Sequence, residues 1–159
     1  GRQKLQVEAR RASLVDDVTG LLNHRGFQTL VQEHLARARN RQERRLLLLV
    51  RVDGLREMTA TGGREALLRA ADVLRMVCAP GDLLAFLGRD ELAAVGMDPP
   101  RDDPDAAVAR LRNHLSGHNA SQPRRPKLAL SAAVAVADPT TPGTVEHLLA
   151  RARQALPPE

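Results

Sequence analysis

Two short apolar runs on either side of a tight polar break constrain this chain more than any other stretch. They are Leu83-Leu-Ala-Phe-Leu87 and Leu92-Ala-Ala-Val95, with Gly88-Arg89-Asp90-Glu91 between them. Hydrophobic segments of this length joined by a few turn-competent residues read as a β-hairpin. Its tip presents Asp90 and Glu91 together. Paired carboxylates there are either hard oxygen ligands for a divalent ion or a solvated turn, and the residues alone allow both.

The rest of the chain has to supply what packs around that hairpin. At 159 residues it reads as one domain, long enough to bury a core. Aromatic residues make up 1% against 43% hydrophobic, so the core is built from Leu, Val and Ala. A net charge of +5 raises nucleic acid as a partner, but the arginines are spread along helix faces without aromatic stacking platforms, which argues against it. The single cysteine, Cys78, lies in an apolar run as a small core residue and excludes an intrachain disulfide. No signal peptide and no apolar run of membrane-spanning length is present, so the expected location is cytoplasmic, with no membrane contact in this segment.

Periodicity places the remaining elements. Gly1 to Ser13 is polar and Arg-rich, read as the end of a linker helix or as a frayed terminus, which divides the chain into residues 1–13 and 14–159. Asp16 to Gly20 forms a turn, and Arg25 to Asn40 a helix with Phe27, Leu30, Val31, Leu35 and Ala38 on one face. Arg41 to Arg45 is a basic connector, read as solvated. Leu46-Leu-Leu-Leu-Val-Arg-Val-Asp53 is a central strand, whose alternation puts Arg51 and Asp53 on one face. Helices are predicted over Arg64 to Val77, Pro104 to Leu115 (capped by Asp103) and Thr144 to Leu156. A loop over Ser116 to Pro126 leads to a strand over Lys127 to Ala137. His114 and His118 have no Cys or carboxylate partner at ligand spacing, so no metal is expected there.

Two motifs in order carry a resemblance. Asp16-Asp-Val-Thr-Gly-Leu-Leu-Asn-His-Arg-Gly-Phe27 and Gly88-Arg-Asp-Glu-Leu92 resemble the opening segment and the signature hairpin of GGDEF domains, the diguanylate cyclase family. Spanning about Leu14 to Leu156, this resemblance implies an α+β cyclase-like fold: a central, mainly antiparallel sheet of about five strands surrounded by helices, related to nucleotidyl cyclases and ferredoxin-like domains. It also implies a setting in bacterial cyclic di-GMP signal transduction.

Set against the family pattern, the residues that carry its chemistry are mostly replaced. Arg51 stands where the family has a magnesium-binding Asp, and only Asp53 keeps its type in that motif. Thr59 and Arg64 take the places of two guanine-reading residues, and Arg89 replaces the second signature glycine. Asp82 survives from the inhibitory product site while its arginine partner is Ala79. Ser131 matches the family strand, but Ala133 replaces its glycine and Arg153 the aspartate of its closing helix. A cation at a metal-ligand position opposes Mg²⁺ binding. The resemblance therefore implies a degenerate, inactive signalling domain with no catalytic residues, metal or cofactor, blocked by Arg51, Arg64 and Arg89 and kept for contact with a protein partner or a second copy. The alternative is a residual cyclase, or a receptor for GTP or cyclic di-GMP, using Asp53, Asp90 and Glu91. Since a half-buried arginine needs a partner, Arg51 is expected to pair with Asp90 or Glu91, and Arg89 to point outward.

Overall fold

Each strand of this chain alternates two sets of apolar side chains, and each set needs its own helical cover. In the computed structural model, which describes residues 13–101, 103–141 and 143–159, that cover is provided by two helices on each face of one sheet. The elements run α1 (His24–Asn40), β1 (Arg45–Val52), a 3-10 turn (Leu55–Glu57), α2 (Ala60–Val77), β2 (Leu83–Gly88), β3 (Glu91–Val95), α3 (Pro104–Ser121), β4 (Leu130–Ala137) and α4 (Val145–Ala155). Strand order is β2-β3-β1-β4, with every ladder antiparallel. These are the four strands read from the sequence; a fifth is not among the described residues. The linker expected over Gly1 to Ser13 lies outside them except for Ser13, which stands in a turn.

Odd-numbered residues of β1, Leu47 and Leu49, face α1 and α4 and pack with Phe27, Val31, Leu148 and Leu149. Even-numbered ones, Leu48, Val50 and Val52, face α2 and α3 and pack with Val73, Leu74 and Leu111. Burying each such side chain stabilises the fold by about 1.5–3 kcal/mol, which lets a core with only two phenylalanines hold together.

The helix starts share one device. Asn23, Thr59, Asp103 and Thr144 each accept a hydrogen bond from the backbone N–H three residues on, at Gly26, Gly62, Ala106 and His147. Thr59 therefore starts α2 four residues before the expected Arg64, and Gly62 and Gly63 lie inside its first turn. At its far end α3 continues to Ser121, six residues past Leu115, because Asn119 is needed there. The Asn119 amide bonds both the N–H and the C=O of Leu128, at 2.9 Å each, so Lys127 to Ala129 is held by a side chain and β4 begins only at Leu130.

Arg45 corrects a second expectation. It is no solvated connector but the first residue of β1, 2% exposed, with its guanidinium on Glu43 (2.8 Å) and on His34 Nε2 (3.0 Å). An arginine stays charged, so its Nε–H donates to the His34 lone pair and the imidazole proton sits on Nδ1. Burial, then the Arg45 charge, pull the His34 pKa below its ordinary 6.5.

The segment before α1 is built from its own side chains. Asp16 accepts from Thr19 N (2.8 Å) and Thr19 Oγ1 (2.7 Å), and Gly20 takes a φ of 73°. Leu22 then lies along β2, accepting from Phe86 N (2.9 Å) and donating to Leu84 O (3.0 Å). Among the described residues no helix is long and apolar enough to cross a membrane.

Candidate functional site

The hairpin does form, and its two-residue tip is Arg89-Asp90. Gly88 has φ 94° and Arg89 φ 55°, so the chain requires the left-handed region at two successive positions and fills the second with an arginine. That conformation costs a side-chain-bearing residue about 1 kcal/mol, and the Arg89 side chain is exposed, as expected. Val52 N donates to Asp90 O at 2.8 Å, which ties the tip to the end of β1 and brings Arg51 directly across from Glu91 in the ladder.

Despite that register, Arg51 does not pair with Asp90 or Glu91. Its Nε lies 2.9 Å from Asp53 Oδ1, and its Nη2 donates to Pro157 O at 2.7 Å. Glu91 is taken instead by Arg153, one turn from the end of α4, whose Nε and Nη2 reach the Glu91 carboxylate at 2.9–3.2 Å in a fork. The physical reason is a competition. A guanidinium from a helix packed on that face meets the carboxylate edge-on with two donors, while Arg51 finds a carboxylate two residues further along its own strand. The hydrogen bonds from Glu91 are the main reason that the Arg153 pKa rises above its ordinary value. The pair is partly exposed, so its worth to stability is below about 1 kcal/mol.

Asp53 is equally committed: one oxygen accepts from Arg51 and the other from Ser131 Oγ at 2.7 Å. Two of the three surviving carboxylates thus have both oxygens engaged by protein donors. Among the described residues no group of three or more His, Cys, Asp or Glu side chains is placed to hold a metal ion. The residues present do not fit a magnesium site of the family kind.

What the hairpin does border is a cleft of about 380 Å³, lined by Asp90 and Glu91 together with His24, Arg56, Arg89 and Arg153. His24 is held by Glu146 (3.0 Å) and Arg153 by Glu91. Sequence reasoning missed Arg56 and His24, which become neighbours of the hairpin only through the 3-10 turn and the start of α1. Arg153 was noticed as a departure but given no partner; its helical position opposite the strand end was the available signal. Arg64 lies exposed on α2 and Thr59 serves as its cap, so neither lines this cleft.

Asp82 is used locally, accepting from Ala79 N (2.8 Å) and Met97 N (3.3 Å). Beside it, burial first and the Asp82 charge second push the Cys78 thiol up to about 12, which makes it an inert wall residue. His118 accepts at Nε2 from Arg69 Nε (3.0 Å), and burial with the Arg69 charge lowers its pKa.

Comparison with known proteins agrees with this geometry. Residues 13–158 match the family described as "Diguanylate cyclase, GGDEF domain". The chain is 26% identical over 140 residues to the probable diguanylate cyclase DgcC of Escherichia coli K12, covering 86% of this chain and 36% of that protein; it thus spans about a third of the relative's length. Among solved structures it resembles the coiled coil and GGDEF domain of DgcB from Caulobacter crescentus in complex with c-di-GMP (TM-score 0.77, 20% identity, 97% of this chain and 83% of that one). It also resembles the FimX GGDEF domain from Pseudomonas aeruginosa (0.72, 24%, 89% and 90%) and the diguanylate cyclase SiaD in complex with its activator SiaC from the same species (0.68, 20%, 97% and 60%). With the hairpin, the opening segment and the four-stranded sheet in the same order, the chain belongs to the diguanylate cyclase GGDEF domain family.

Proposed function

We propose that this domain is a catalytically inactive GGDEF module that serves cyclic di-GMP signalling through protein contact. The observation that carries the reading is the fork of Arg153 on Glu91: a fixed internal cation sits where family chemistry needs a carboxylate free for metal. Arg51 and Asp53 neutralise one another at the adjacent strand end, so two sites for Mg²⁺ are closed by charge as well as by contact. SiaD, a structural relative, is described in complex with an activator protein, which supports protein contact as a use for this fold. The module extends over residues 14–159 and works in the cytoplasm, with the 1–13 segment leading into it. Incubation with GTP and Mg²⁺ or Mn²⁺ is expected to yield no cyclic di-GMP. Product above a no-enzyme control, abolished by Glu91→Ala, would overturn the reading.

One observation favours a second reading, a nucleotide receptor that needs no metal. Arg56, Arg89 and Arg153 border the hairpin cleft together, and guanidinium groups are well matched to phosphate. Calorimetric titration separates the two: saturable heat with cyclic di-GMP or GTP, lost in Arg56→Ala, supports the receptor, and its absence supports the protein-contact module.

A further inference from the structure

The sheet has two outer edges, and they are treated differently. Along β2, Leu22 engages both Leu84 O and Phe86 N. Along β4, none of the described residues pairs with the outer edge as a strand. The hydrogen-bond directions of β1 settle which groups lie there. Val52 N points to β3 and Asp53 N points to Ala129 O, so the odd-numbered residues of β4 bond to β1 and the even-numbered ones point away. The backbone N–H and C=O groups of Leu130, Ala132 and Val134 therefore face outward, and only Val136 O is met, by Arg151 Nη2 at 2.7 Å.

Edges of this kind are normally guarded by a charge, a proline or a bulge. This one has none: from Leu128 to Ala137 the chain carries no charged residue and no proline, with Lys127 just before that run and Asp138 just after it. We propose that β4 pairs antiparallel with β4 of a second copy of this chain about a two-fold axis at Ala132. In that register Ala132 meets Ala132, and Leu130 meets Val134 twice. These are three hydrogen-bonded pairs, which leave Val136 to Arg151. Side chains at the contact are small and uncharged, so the isologous pairing brings no like charges together, and it sets the Lys127 end of one copy beside the Asp138 end of the other. The two four-stranded sheets become one continuous sheet. This surface is separate from the hairpin cleft and stands whatever that cleft binds.

A strand pair alone buries less than a standard interface, so the dimer is weak and concentration decides it. Sedimentation of the protein between roughly 1 and 500 µM is expected to show a mass rising from 17.3 kDa towards twice that value. Ala132→Pro deletes an outward N–H and no ladder bond to β1, so it is expected to hold the protein at the monomer mass with its unfolding transition retained. Hydrogen exchange on the unaltered protein gives an independent reading if the variant fails to fold: the amides of Leu130, Ala132 and Val134 are expected to lose protection on dilution, while those of Ala133 and Ala135 keep it. A monomer at every concentration would overturn the proposal. So would a dimer unaffected by Ala132→Pro, or outward amides protected equally at all concentrations, which would mean that the edge is covered from within the chain.

Discussion

At the residue scale, Arg89 shows how far this domain has moved from the family pattern without losing its fold. A φ of 55° suits glycine, and the arginine occupies it at a cost. Arg89→Gly is expected to raise stability by up to about 1 kcal/mol in urea titration without producing cyclic di-GMP, since the Arg153 fork remains. Gly26 gives the opposite case: a Cβ there would run into the Leu14 backbone carbonyl. Gly26→Ala is expected to cost more than about 2 kcal/mol, because neither α1 nor the turn before it can give way cheaply. The two arginines that hold carboxylates also differ. Arg45→Ala, which removes a buried cation from Glu43 and His34, is expected to lower stability by about 3 kcal/mol, and Arg153→Ala by less than about 1, as read by denaturant midpoints.

At the element scale, caps carry much of the definition of the fold. Thr59→Ala removes the acceptor for Gly62 N and is expected to destabilise by about 1 kcal/mol, with the loss of helicity confined to the start of α2 in hydrogen exchange. This cap also marks where sequence reading succeeded and where it stopped. Asp103 was legible because a proline follows it, and the hairpin because apolar runs flank a glycine. Thr59 was not, because the family pattern assigned it a ligand role and two glycines after it looked like a loop. The solvated reading of Arg45 failed for a different reason: a buried cation is visible only once Glu43, His34 and the strand are placed around it. The Arg51 partner was misjudged because ladder register brings side chains near one another but does not choose among competing acceptors.

At the scale of the whole molecule, two arginine–histidine pairs stand on opposite faces of the sheet, His34 with Arg45 and His118 with Arg69. Both imidazoles have pKa values held below 6.5 in the folded protein, by burial first and by the adjoining guanidinium second. Below pH 6.5 the unfolded chain takes up protons that the folded one refuses, so stability is full above that pH and falls as the solution is acidified. Urea midpoints are expected to drop between pH 7.5 and pH 5.5, and the drop to shrink in the His34→Gln, His118→Gln double variant. An unchanged slope would show that other groups dominate the acid response.

The Leu22 bridge along β2 has a consequence for how many such molecules can join. A β-sheet open on both sides can add partners without limit and grow into a fibre. With one side occupied by its own backbone, this sheet has a valence of one: any association through strand pairing is complete at two chains, and crowding yields pairs instead of polymers.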